Sequence, residues 1–118
     1  MNYAYFLLML AMGSALAAPV EAQNKSMRAH YMIYSGELGD AWQPTKTDRK
    51  LSIDIAGPPA KDIFDSLYPD IKAECTAEKG ERQRRKGNLW CVYQPSSGYT
   101  CYFGFDLRTG KSIEGGEC

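Results

Sequence analysis

Apolar and polar residues alternate along three segments of this chain and predict a β-strand in each. In residues 51–57 (LSIDIAG), the leucine and both isoleucines fall on one side and the polar residues on the other. This period of two is typical of a half-buried strand. Residues 88–94 (NLWCVYQ) and 99–107 (YTCYFGFDL) alternate in the same way, and residues 29–34 (AHYMIY) are rich in residues that favour strands.

The hydrophobic period changes in residues 59–69 (PAKDIFDSLYP), which predict a short helix. The apolar stripe has the spacing i, i+3, i+4 and i+7 and consists of Ala60, Ile63, Phe64 and Leu67. Pro59 suits a first helical turn, and Pro69 disfavours helical geometry at the residue before it. A helix of about three turns must be stabilised by packing against a sheet.

The remaining segments are polar and predict surface loops at residues 35–50 and 76–87, with either a short strand or an extended segment at residues 70–75. Together these elements predict an α+β fold. We expect an antiparallel sheet of four to six strands with one short helix packed on one face.

A turn is predicted at residues 107–111 (LRTGK), with Gly110 at the position that needs a positive φ. This turn would pair Phe105 with Ile113 across a final hairpin. Continuing the register brings Cys101 within one residue of Cys118, and a bulge at the glycine pair between 113 and 118 would absorb the difference.

Four cysteines, Cys75, Cys91, Cys101 and Cys118, lie in the C-terminal part of the chain and predict two disulfides in an oxidising compartment. The register favours the pairs Cys75 with Cys91 and Cys101 with Cys118. The main alternative joins Cys91 to Cys101 across their hairpin and Cys75 to Cys118. Their gaps are too long for a paired zinc motif, so we predict no metal site.

The N-terminal segment, residues 1–22, is predicted to be a secretory signal peptide. It has an apolar stretch followed by small residues, and that stretch is too short to span a bilayer. Cleavage after Ala17 or Ala22 fits the small-residue rule, and Ala22 is preferred. Residues 23–118 then form a single small secreted domain with no membrane span, located in the periplasm or outside the cell.

Charge is balanced in the predicted mature chain, which carries 14 basic and 13 acidic residues once Glu21 is removed with the signal peptide. This balance argues against a general nucleic-acid binder. No phosphate-binding loop, nucleophile elbow or metal-ligand motif is present in the sequence, so we predict no cofactor.

A basic run beside aromatic residues is the candidate binding surface. Arginine forks suit carboxylates on a protein partner, and tyrosine and tryptophan serve interfaces because each is apolar at one end and polar at the other. The candidate residues are Arg82, Arg84, Arg85, Lys86, Trp90, Tyr102 and Trp42. If the helix covers the cysteine face of the sheet, Trp90 and Tyr102 are expected on the other face, where they are either exposed to a partner or packed beneath the long loop of residues 35–50.

These features predict a small exported binding protein rather than an enzyme. An inhibitor or immunity-type protein acting on a secreted hydrolase fits this combination of small size, export and disulfides. We expect a protein partner in the periplasm or outside the cell. One alternative is a small secreted hydrolase or nuclease that uses His30, the one histidine of the chain, with a carboxylate. A second alternative is an envelope-associated structural protein. The sequence assigns no catalytic residue and no oligomeric state.

Overall fold

The computed structural model describes residue 13 and residues 21–75 and 77–118. The predicted signal peptide lies outside the described residues except at Gly13, Glu21 and Ala22. The described residues form one helix and seven strands: β1 Ala29–Glu37, β2 Asp40–Trp42, β3 Lys50–Ala56, α1 Pro58–Ser66, β4 Arg82–Lys86, β5 Leu89–Gln94, β6 Gly98–Asp106 and β7 Ser112–Ile113.

The strands form one antiparallel sheet in the order β2-β1-β3-β6-β5-β4, and β7 pairs with β6 beyond the end of β5. This confirms the predicted α+β fold with a helix on one face. The sheet has seven strands within the described residues, more than the four to six expected. In the part of the chain that the structure describes, no helix is long and apolar enough to cross a membrane.

The two additional strands lie in segments predicted as loops, and those two predictions are wrong. In residues 35–50, β1 continues to Glu37 and turns into β2, so that Glu37 pairs with Asp40. In residues 76–87, β4 pairs along its whole length with β5 across a turn at Gly87, whose φ is 56°. Hairpin geometry and ladder hydrogen bonds thus order a strand that has no apolar residue.

The helix begins at Pro58, one residue before the predicted segment, and lies across one end of the sheet. Gly57 precedes it with a φ of 79° and accepts a backbone hydrogen bond from Lys61. Prolines occupy the first turn, where their missing N–H groups cost nothing. The buried face of the helix packs on β3, β5 and β6, and the core consists of Ile55, Ala60, Phe64, Leu67, Cys91 and Cys101.

The favoured disulfide pairing is wrong, and the alternative pairing is the one observed. Cys91 and Cys101 face each other directly in the β5–β6 ladder, with their Cα atoms 4.0 Å apart. Such a separation is typical of a pair between ladder hydrogen bonds, where side chains approach closely. Cys75 is bonded to Cys118, with a Cα separation of 6.1 Å.

The register of the final hairpin explains this error. Gly110 has the predicted positive φ, 75°, but Ile113 pairs with Gly104 rather than with Phe105. The chain then leaves the ladder after β7 and crosses the sheet face opposite the helix. We call residues 114–118 the strap. A Cβ on Gly115 would lie 2.0 Å from the backbone oxygen of Phe103, so this crossing requires glycine.

Candidate functional site

The basic run forms the edge strand β4, whose side chains point alternately to the two faces of the sheet. Arg82 and Arg84 point towards the helix, where both bind the carboxylate of Asp70. The Nε atom of Arg84 lies 2.7 Å from Asp70 Oδ1, and its Nη1 donates to the backbone oxygen of Phe64 at 2.8 Å. Arg84 is 8% exposed, so its guanidinium is engaged within the fold.

The electrostatic effect of this cluster falls on Asp70. Hydrogen bonds from Arg82 and then from Arg84 lower the pKa of the Asp70 carboxyl from 3.8 to about 2. The guanidinium of Arg84 also lies 4.3 Å from the centroid of the Phe64 ring, a cation–π contact with the core. The ion cluster therefore connects β4 to the helix.

On the other face, Arg85 lies above Trp90, with its guanidinium carbon 5.1 Å from the ring. One of its nitrogens lies 3.0 Å from Glu74 and another 3.7 Å from Glu114 of the strap. The Nε and Nη1 atoms are buried without a hydrogen-bond partner among the described residues. Arg85 thus faces two carboxylates of the protein itself.

Trp90 and Tyr102 occur side by side on this face, with ring centroids 5.4 Å apart, but Trp90 is not open to solvent. It is 6% exposed, so the first of the two predicted alternatives, an exposed Trp90, is wrong. The strap covers this face instead, because a Cβ on Gly116 would come within 2.6 Å of the Tyr102 ring. Burial, followed by the charge of Asp54, raises the pKa of the Tyr102 phenol.

A small cavity of about 150 Å³ lies between this aromatic pair and the segments that partly cover it. We call it the covered pocket. Its walls are mainly polar and include no lysine or arginine: Glu74, Cys75, Glu81, Gln83, Trp90, Val92, Gln94, Thr100, Tyr102, Glu117 and Cys118. The Cys75–Cys118 disulfide forms part of its wall.

Gln83 organises the wall of the covered pocket, and the sequence analysis did not identify it. It is 2% exposed, and its Oε1 accepts hydrogen bonds from the Glu74 backbone and from Trp90 Nε1. Its Nε2 donates to the Glu74 carbonyl at 3.0 Å and to a Glu81 carboxylate oxygen at 2.8 Å. The one indication of this role in the sequence was the position of Gln83 between two arginines, which places its side chain on the opposite face from theirs if the segment is a strand.

The seven predicted binding residues do not form one surface. Lys86 is exposed at the end of β4, whereas Trp42 is 69% exposed on β2. These strands are the opposite edges of the main strand order. Arg82, Arg84 and Arg85 bind carboxylates on two different faces. Tyr102 lies beneath the strap, and Trp90 lies beside it under the Arg85 guanidinium.

His30 lies beside a carboxylate, as the enzyme alternative requires. It pairs with Asp54 across β1 and β3, and its Nδ1 atom is 3.7 Å from Asp54 Oδ2. The histidine side chain is 90% exposed, so this pair is open to solvent. Among the described residues, no group of three or more histidine, cysteine or acidic side chains is arranged to hold a metal ion.

An exposed apolar surface is the feature that sequence reasoning missed. On the helix side of the sheet, two cross-strand rows lie beside the core of the domain and form what we call the apolar face. The rows are Tyr31–Ile53–Phe103 and Ile33–Leu51–Phe105, spread over β1, β3 and β6. Tyr31 is 73% exposed, Ile33 and Phe105 are also exposed, and the other three are half-buried.

The length of the helix could have revealed this surface. Nine helical residues extend about 14 Å, whereas the seven residues of β3 extend about 23 Å. The helix is therefore too short to cover the whole of β3, and the apolar residues at one end of that strand are left uncovered. Two exposed arginines, Arg49 and Arg108, border that end. The Arg49 carbonyl accepts a hydrogen bond from the Leu107 N–H, and Arg108 Nη1 donates one to the Thr47 carbonyl.

The Asp70 cluster generates a prediction for acid stability. Because the folded-state pKa of Asp70 is lower than its unfolded value, its contribution is present above about pH 4 and is lost as pH falls towards 2. We expect Asp70→Asn to lower the unfolding free energy at pH 7 by about 1–2 kcal/mol, after allowance for its partial exposure. It should also flatten the acid limb, which is the fall of the unfolding free energy below about pH 4. Urea unfolding followed by circular dichroism at a series of pH values measures this limb.

Asp65→Asn is the matched control, since Asp65 makes an exposed pair with Lys61. Its acid limb should follow that of the wild type. An unchanged acid limb in Asp70→Asn would show that the cluster does not carry this pH dependence.

The Gln83 network generates a second stability prediction. Gln83→Leu keeps the approximate volume but leaves Trp90 Nε1 and the Glu74 backbone without their acceptor. Leaving buried donors without an acceptor lowers the unfolding free energy by about 1–3 kcal/mol. Gln43→Leu makes the same change on an exposed residue and should stay within about 0.5 kcal/mol of wild type. Equal urea midpoints for the two variants would contradict the proposed role of Gln83.

No protein-family model, no curated protein and no solved structure matches this chain. Its function must therefore be inferred from its own residues and their arrangement.

Proposed function

We propose that this chain is an exported protein-binding protein, of the inhibitor or immunity type, and that it recognises its partner through the apolar face. The observation that carries the proposal is a contiguous set of six apolar side chains on three adjacent strands, three of them exposed and three half-buried. Contiguous exposed apolar surface on a small domain marks an interaction site more often than scattered apolar residues do.

The support beneath this surface favours recognition. Its residues lie on the central strands β1, β3 and β6 rather than on loops. Ile53 and Phe103 also pack against the core, which fixes one row from below. A surface held in this way loses little conformational entropy when a partner binds.

The charges beside the apolar face suggest the chemistry of the partner. Arg49 and Arg108 are exposed at one end and make no ion pair with another described residue. The complementary surface is an apolar protrusion bordered by carboxylates. Charges at the border of an interface mainly accelerate association and favour the correct partner.

The proposed compartment follows from the cysteines. Two disulfides are consistent with an oxidising compartment, either the periplasm or the cell exterior. A secreted hydrolase of the same compartment is the first partner class to test. This choice of partner rests only on the small size, the predicted export and the disulfides, whereas the choice of surface rests on the exposed residues.

The predicted basic and aromatic residues keep a smaller part in this proposal. Trp42 and Lys86 are exposed and available for contacts with a partner. Arg84 and Trp90 are both buried, so substituting them would test folding as much as recognition.

Binding provides the test, with two tyrosines of equal exposure as the matched pair. Tyr31 and Tyr68 are each 73% exposed, but only Tyr31 lies on the apolar face. A partner is first captured from secreted and envelope fractions on the immobilised oxidised domain beginning at Gln23. We expect Tyr31→Ser to weaken the affinity for this partner at least about tenfold in surface plasmon resonance, because the most exposed aromatic side chain of the apolar face is lost.

Tyr68→Ser should keep the wild-type affinity, and circular dichroism should show both variants folded. Removing the charges with Arg49→Ser and Arg108→Ser should slow association and reduce its dependence on salt. Equal affinities for the two tyrosine variants would exclude the apolar face. The absence of any saturable partner would contradict the proposal and favour an envelope-associated structural role.

A second candidate function is a secreted hydrolase or nuclease, and the pair His30–Asp54 is the observation that favours it. A carboxylate beside an imidazole can hold the ring in a fixed orientation, as in general acid–base catalysis. The pair is exposed on the sheet face opposite the helix, so a polymeric substrate could reach it.

Turnover assays with RNA, single-stranded DNA and a chromogenic ester test this candidate. If the pair is catalytic, His30→Ala should reduce turnover at least about a hundredfold while the fold persists. Asp62→Asn, on an exposed helical carboxylate, is the control and should retain activity. Wild-type turnover in His30→Ala would eliminate this candidate.

A further inference from the structure

The two disulfides of this protein differ in their access to solvent. Cys91 and Cys101 are both fully buried beneath the helix, where the Cys101 sulfur lies 3.4 Å from the backbone oxygen of Ala60. Cys75 and Cys118 are both exposed. Thiol–disulfide exchange requires a thiolate to reach a sulfur, so the second disulfide is the one open to attack.

The exposed disulfide is also the main attachment of the strap. Residues 114–118 make no hydrogen bond with any other described residue. Their other contacts among the described residues include the 3.7 Å ion pair of Glu114 with Arg85, the close packing of Gly115 and Gly116 on β6, and the Glu117 side chain beside Gly39. A segment with so few attachments belongs to the least stable part of a fold.

The strap has something to cover. Glu117 and the bonded cysteines Cys75 and Cys118 form part of the wall of the covered pocket. Gly116 lies against the Tyr102 ring, and Tyr102 stacks beside the nearly buried Trp90. Releasing Cys118 from Cys75 would therefore open the aromatic floor of this pocket without breaking the core.

We propose that the Cys75–Cys118 disulfide is a reducible latch that holds the strap over the covered pocket. A dithiol supplies the reducing equivalents. One of its thiolates attacks a sulfur of the bond, which forms a mixed disulfide and releases the other cysteine as a thiolate. The second thiol of the dithiol then attacks the mixed disulfide. The dithiol becomes a disulfide, and its two electrons and two protons end on Cys75 and Cys118.

This latch is independent of the proposed binding surface. The apolar face lies on the helix side of the sheet, whereas the strap and the covered pocket lie on the opposite side. Reduction would thus expose a second surface, with an aromatic floor and carboxylates at its border. The buried Cys91–Cys101 disulfide would keep β5 and β6 joined throughout.

Selective reduction with a fluorescent readout tests the latch. The chain has two tryptophans, so Trp42→Phe leaves Trp90 as the single reporter. The oxidised chain is titrated with dithiothreitol, free thiols are trapped with iodoacetamide, and their positions are read by peptide mass spectrometry. Acrylamide quenching then measures how accessible Trp90 is, with oxidised dithiothreitol as the control.

We expect Cys75 and Cys118 to be alkylated at a dithiothreitol concentration at least about tenfold below that needed for Cys91 and Cys101. Quenching of Trp90 should rise over the same range, while far-UV circular dichroism stays constant. The double variant Cys75→Ser with Cys118→Ser, in the Trp42→Phe background, should show the quenching of the reduced form without any reductant.

Three results would overturn the latch. The first is reduction of both disulfides over one concentration range. The second is unchanged Trp90 quenching once Cys75 and Cys118 are alkylated, because the strap then stays in place without its bond. The third is loss of secondary structure when that bond is reduced, which would make it a staple of the fold.

Discussion

The guanidinium of Arg84 is the contact on which the arrangement of this domain depends. It binds Asp70, donates to the last turn of the helix at Phe64, and lies over the Phe64 ring in the core. An edge strand with no apolar residue has no hydrophobic reason to join a sheet. Here its place is secured by a charge that is neutralised, hydrogen-bonded and packed at once.

The neighbouring residue performs the corresponding role on the opposite face. Gln83 connects β4 to the backbone of residue 74 and to Trp90, next to the cysteine that holds the strap. Alternation along β4 thus divides its side chains between two covers, the helix on one face and the strap on the other. Both covers depend on the position of one edge strand.

Periodicity in the sequence was sufficient to predict β3, the helix, β5 and β6, because each has an apolar pattern of its own. It could not predict β4, whose partners Asp70 and Glu74 lie outside the strand. It also could not place Cys118. Ile113 pairs one residue away from the predicted partner, and this change of register alters which cysteine lies near Cys118. The apolar face was missed because alternation shows which side is apolar but not how far a helix covers it.

The order in which the cysteines are joined has a consequence for how the protein matures. The Cys75–Cys118 bond encloses the Cys91–Cys101 bond, so the native linkage is nested rather than sequential. A chain oxidised as it leaves a translocation channel, amino end first, would meet Cys75 and Cys91 before the others and would join them wrongly. For a chain exported and oxidised in this way, maturation requires either that the β5–β6 hairpin closes before Cys75 is oxidised, or that an isomerase corrects the first bond.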